Sequence, residues 1–183
     1  MTKRLAGVVT ALTLSIAACG DGDSVTGPSR SSPTTTFLDL HSDPGDYIGA
    51  GESHRYTLED SVWTARVDVG VLEPNHVVVS LRPTNNSFSW WWSLNLSSPP
   101  GQSLKVGTYE NARRWPFANA QPGLDFSGTG RGCNTLTGSF VIKAIEIGPG
   151  NSLDRFHATF EQHCEGASPA LKGEISVMAN PWR

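Results

Sequence analysis

From Phe37 onward, apolar and polar residues alternate in short runs. His54-Tyr56-Leu58 alternates with Ser53-Arg55-Thr57, Trp63-Ala65-Val67-Val69 with Val62-Thr64-Arg66-Asp68, and Val77-Val79-Leu81 with Val78-Ser80-Arg82. The clearest run sets Phe88-Trp90-Trp92-Leu94-Leu96 against Ser89-Trp91-Ser93-Asn95-Ser97, and Leu171, Ile175 and Val177 resume the pattern near the end. Successive side chains of a strand point to opposite faces, so a period of two puts one set inside and the other outside. Each run is bounded by Pro, Gly, Asn or Asp, as strands are. No window carries the i, i+3, i+4, i+7 stripe of a substantial helix. Many short strands with regular turn residues predict a single all-β domain: an antiparallel β-sandwich, or alternatively a flattened β-barrel.

One hairpin can be registered from the pattern. Reading Gly148-Pro149-Gly150 as a three-residue loop places Ile147 opposite Asn151. Phe140 then faces Ala158, Ile142 faces Phe156 and Gly138 faces Phe160, which keeps apolar side chains on one face; a one-residue slip scatters them. The same register sets Asn134 opposite Cys164 and brings Cys133 within reach of a disulfide.

The first 36 residues do not follow this pattern. Lys3 and Arg4 precede an apolar stretch, Leu5 to Ala18, which is too short to span a bilayer. Small residues close it, as in an export signal. Its ending, Ile16-Ala17-Ala18-Cys19, resembles the bacterial lipobox, which implies cleavage before Cys19 and a diacylglyceryl group, with palmitate or similar acyl chains, in thioether linkage to its sulfur. Several acyl chains, at about 0.8 kcal/mol per buried methylene, hold a protein durably at a membrane. Residues 20–36 contain one large apolar side chain, Val25, and cannot bury enough surface to fold. The expected organisation is a signal peptide over 1–18, a lipidated Cys19 with a disordered tether over 19–36, and the β-domain over 37–183.

Cysteine usage agrees with export. The chain has 3 cysteines, an odd count that lipidation of Cys19 resolves by leaving Cys133 and Cys164 as a pair. No CxxC spacing suggests a metal site. Removing Lys3 and Arg4 from the 14 basic residues leaves 12 against 17 acidic ones. An acidic chain without a basic stripe is a poor partner for nucleic acid.

Candidate chemistry is sparse. Within Trp90-Trp91-Trp92, alternation sends Trp90 and Trp92 to the core and leaves Trp91 outside, where its flat face could stack on a sugar. Trp115 is a second such candidate, on a segment read as a loop, where binding residues concentrate. Arg113, Arg114 and Arg131 also fall in Gly-, Asn- and Pro-rich segments read as loops. With Trp115 they define an expected basic, Trp-lined patch for an anionic or hydroxyl-rich envelope polymer; the competing reading pairs each arginine with a carboxylate such as Glu110 or Asp125. Asp43-Pro44-Gly45-Asp46 has the residues of a β-turn, preferred here over a Ca²⁺ site, which needs six to eight oxygens. His157 and Glu161 are too far apart along a strand for joint ligation. His163 is expected to hydrogen-bond the turn beside the bridge. No HExxH, GxSxG, P-loop or zinc pattern occurs, and no cofactor or metal is expected.

Four segments, Ser42-Asp43-Pro44-Gly45-Asp46-Tyr47-Ile48-Gly49, Gly107 to Phe117, Pro122 to Asn134 and Phe160 to Gly166, resemble an uncharacterised family of secreted or lipid-anchored bacterial β-domains. The resemblance spans nearly all of Phe37 to Val177. It implies one exported domain with a Cys133–Cys164 bridge and lends no catalytic residue. The expected function is that of a cell-envelope lipoprotein, partnered by the membrane, displaying a non-enzymatic domain for binding or scaffolding. The alternatives are an envelope-polysaccharide module working through Trp91 or Trp115, and a hydrolytic enzyme using Asp125, Arg131 and His163.

Overall fold

In a computed structural model the described residues are 33–69, 74–85 and 89–178. The export signal, Cys19, the tether up to residue 32 and Phe88 lie outside them. Ten strands occur among the described residues: β1 (Phe37–Ser42), β2 (Ser53–Thr57), β3 (Ser61–Val69), β4 (Pro74–Pro83), β5 (Trp92–Ser97), β6 (Gly107–Arg114), β7 (Gly123–Gly128), β8 (Leu136–Ile147), β9 (Leu153–Cys164) and β10 (Leu171–Met178). The all-β expectation therefore holds.

All ten strands belong to one sheet, ordered β2-β1-β10-β9-β8-β6-β7-β5-β4-β3. A sandwich would need two sheets; this continuous one, nearly closed on itself, is the alternative barrel form. Connectivity explains the closure. The two outermost strands, β2 and β3, are consecutive in sequence and joined by residues 58–60, so the sheet's edges must meet. Thr57 accepts hydrogen bonds there from Ser61 Oγ at 2.5 Å and from the Trp63 indole N–H at 3.3 Å. A large twisted sheet tends to curl in any case. The sheet is also not purely antiparallel, because β6 and β7 pair parallel at Arg113↔Gly123 and Arg114↔Leu124.

Alternation sorts the side chains largely as expected. Val77, Val79, Leu94 and Leu96 are fully buried, as are Leu171 and Ile175, and Trp92 is buried while Trp91 stays 43% exposed. Trp90 packs partly buried against the core. Leu58 departs from the pattern: β2 ends at Thr57, and Leu58 sits in the connecting turn, 58% exposed.

The β8–β9 hairpin pairs Phe140↔Phe160, Ile142↔Ala158 and Leu136↔Cys164, which is two residues away from the expected register. The loop is longer than expected, with a 3-10 turn at Pro149–Asn151 and Ile147 opposite Leu153. Over these pairs a slip of two keeps every side chain on its face, so periodicity alone could not separate the two registers; a bulge between Ile142 and Ala144 then shifts the pairing by one more residue as far as Glu146↔Arg155. Cys133 and Cys164 nevertheless form the disulfide, with Cα atoms 5.1 Å apart.

Buried polar pairing completes the wall where β6 ends. Beyond Arg114 no strand among the described residues pairs with that edge of β7, and the fully buried side chain of Gln162 reaches across from β9. Its amide donates to Phe126 O at 2.8 Å and accepts from Phe126 N–H at 2.9 Å. One side-chain amide thus supplies the donor and acceptor that a neighbouring strand would provide.

Candidate functional site

The β6–β7 connection carries the site. Parallel strands that pair end to start need a chain reversal between them, made here by residues 115–122. Arg113 N–H donates to Pro122 O at 2.9 Å, Trp115 N–H to Leu124 O at 3.0 Å and Gln121 N–H to Ala118 O at 3.1 Å, so the loop is pinned at both ends and within. The half-buried Trp115 side chain lies against Gly123: a methyl group there would approach Trp115 Cδ1 to 3.1 Å and collide with Ser97 Oγ. Glycine is what lets the indole lie close to the sheet.

Trp115 stacks on His76, near the start of β4, with ring centroids 4.3 Å apart and an interplanar angle of 16°. His76 is buried, its Nδ1 3.3 Å from Asp68 Oδ2 and its Nε2 3.1 Å from Asn95 Oδ1. Burial holds the imidazole below its ordinary value of 6.5, so the neutral ring is the form favoured in the fold. Trp115, His76 and Asp68 border a cleft of about 280 Å³, lined also by Asn75, Ser97, Ser98, Asn119 and Gln121.

Sequence reasoning singled out Trp115 and missed its surroundings. Alternation already turned Asp68 outward, opposite Val67, and the same parity extended along β4 reaches His76. Their direct pairing in the β3–β4 hairpin was not legible without the register.

The other candidates lie apart from this cleft. Arg113 and Arg114 are in strand β6, not in a loop as expected. The reason is a bulge between Tyr109 and Ala112, with Asn111 at φ 57°, which breaks the period of two. Arg114 lies over the Phe117 ring at 5.1 Å and donates to Asn134 O at 3.5 Å. Asp125 is buried on β7, accepts from Ser127 Oγ at 2.8 Å, and is pushed above the usual carboxylate range by burial, against the pull of Arg114. Arg131 donates to the carbonyls of Ile48 and Tyr47 at 3.3 and 3.5 Å. None of the three arginines lines the Trp115 cleft. Trp91 borders a separate hollow of about 150 Å³ with Val62, Thr64 and Arg82.

The remaining polar candidates are engaged in turns and strand pairs. Asp46 accepts from Ser42 Oγ and Gly49 N–H, both at 2.7 Å, while its own N–H donates to Asp43 O at 2.9 Å, the pattern of the expected turn. His163 Nδ1 lies 3.0 Å from Ser168 O, as expected for a turn-stabilising role. A larger hollow of about 480 Å³ crosses the outer faces of β8, β9, β10 and β1. Its carboxylates are matched there by cations: Asp39 with Arg55 at 2.5 Å, Glu174 with Lys143 at 2.8 Å and Glu161 with Lys172 at 3.8 Å. Comparison with protein families, with curated proteins and with solved structures finds no match to this chain.

Proposed function

We propose that this chain is an exported lipoprotein of the bacterial cell envelope whose anchored barrel is a binding domain and not a catalyst. The observation that carries the binding half is the Trp115 cleft. It is pre-formed on pinned backbone, it combines an aromatic face with several polar groups, and both ring nitrogens of its one histidine are already engaged. The Cys133–Cys164 bridge supports the export half, since it suits an oxidising compartment and leaves Cys19 available for lipid.

Anchoring is tested by expressing the full chain in a bacterium that processes lipoproteins. The wild type is expected to take up labelled palmitate and partition into detergent, and Cys19→Ser to lose both properties. Equal aqueous partitioning of the two proteins would overturn the lipoprotein reading. Binding is tested by the melting temperature of the detergent-solubilised protein in the presence of fractionated envelope material. A ligand for the native state raises it by mass action, and the rise should vanish in Trp115→Ala.

A further inference from the structure

We propose that the Trp115 cleft takes one neutral sugar ring of a larger glycan, an inference that rests on the binding reading of the same cleft. Its volume, about 280 Å³, lies at the small end of ligand sites and suits a single ring with the rest of the ligand outside. Trp115, half-buried and stacked on His76 at 4.3 Å, borders the cleft with an indole already held in place, so little side-chain freedom is lost when a ring packs against it. Around it stand the amides of Asn75, Asn119 and Gln121. Each amide donates and accepts, and so does each sugar hydroxyl.

Charge narrows the class. No lysine or arginine is among the described residues lining the cleft, and an anionic ligand would meet no counter-charge there. Its one carboxylate, Asp68, is already paired with Arg66 at 3.0 Å, which leaves little unbalanced charge to hold a cation. The anionic half of the expected polymer class is thereby set aside, and the hydroxyl-rich half is kept.

The experiment follows the Trp115 indole N–H by ¹H–¹⁵N NMR in the detergent-solubilised protein, assigned by its loss in Trp115→Phe. The probes are maltotriose and chitotriose as neutral saccharides, an oligogalacturonate as an acidic one and choline as a cation. A neutral saccharide is expected to shift this resonance in a saturable way, with the oligogalacturonate and choline silent. Asn119→Gly with Gln121→Ala should weaken the binding about tenfold or more at unchanged melting temperature. Glycine is chosen at Asn119 because its φ is 55°, where alanine would be strained. A shift caused only by the oligogalacturonate or choline overturns the saccharide class and leaves the binding reading standing. Silence toward every probe and toward the envelope fractions overturns both. Saccharide binding unchanged in the double variant removes it from this cleft.

Discussion

The Gln162 amide, at 2.8 and 2.9 Å from the Phe126 carbonyl and N–H, is fully buried, and so is the Phe126 side chain beside it. Replacing it by Leu keeps roughly the volume and strands two buried backbone groups. Gln162→Leu should therefore lower stability by about 2–5 kcal/mol in urea titration, mostly as unsatisfied polar groups. A loss well below 1 kcal/mol would mean that water or another group takes the amide's place. His76 makes a pH prediction at the same scale. Its folded value is depressed below 6.5 by burial, so its share of stability is complete above 6.5 and is lost as pH falls through the folded value. His76→Gln should flatten the melting-temperature profile below pH 6.5, and an unchanged slope would show that the ring does not titrate there.

At the scale of elements, the β8–β9 hairpin is closed by two devices. The disulfide joins residues 31 apart in sequence, and by the chain-entropy model it contributes about 3–4 kcal/mol. Cys164→Ala should lower the melting temperature by roughly 10 °C, and wild-type Cys133 and Cys164 should resist alkylation until reduced. Glu165, just past β9, supplies the second device. Its carboxylate accepts from the N–H groups of Asn134 and Thr135 and from Thr135 Oγ1, and these bonds, the Asn134 one foremost, hold it below its usual 4.5. The stabilisation is present above 4.5 and is lost as pH falls through the lowered folded value. Wild type should melt above Glu165→Gln at neutral pH, and the two curves should converge in acid. Parallel curves throughout would show that the charge is not what matters.

At the scale of the molecule, one cluster of buried side chains draws on strands from both ends of the sheet order, from Leu38 and Leu40 of β1 to Val67 of β3. Phe126 of β7 stacks on Trp92 of β5 at 5.2 Å and on Phe160 of β9 at 5.3 Å, joining the two halves through aromatic contact. A shared core implies a single cooperative unit. Far-ultraviolet circular dichroism and tryptophan fluorescence should report coincident unfolding transitions. Two resolved transitions would show that the β3-β4-β5-β7 half melts independently.

Alternation determined which faces of β3, β4, β5 and β10 are buried, because a half-buried strand must present apolar groups every second residue. It also put Trp91 outside and Trp92 inside, and the spacing of hairpin and cysteines was enough to pair Cys133 with Cys164. Three matters were left to the tertiary structure. The hairpin's register needed the loop conformation, because a two-residue slip conserves every face. Strand β6 was hidden by its own bulge at Asn111, which breaks the only periodicity a reader could use. The cleft was hidden most completely: Asp68, His76, Ser97 and Trp115 come from three strands and a loop. Alternation specifies the face on which each residue lies. Only the folding of β6 beside β7, with Gly123 under the indole, decides that they meet.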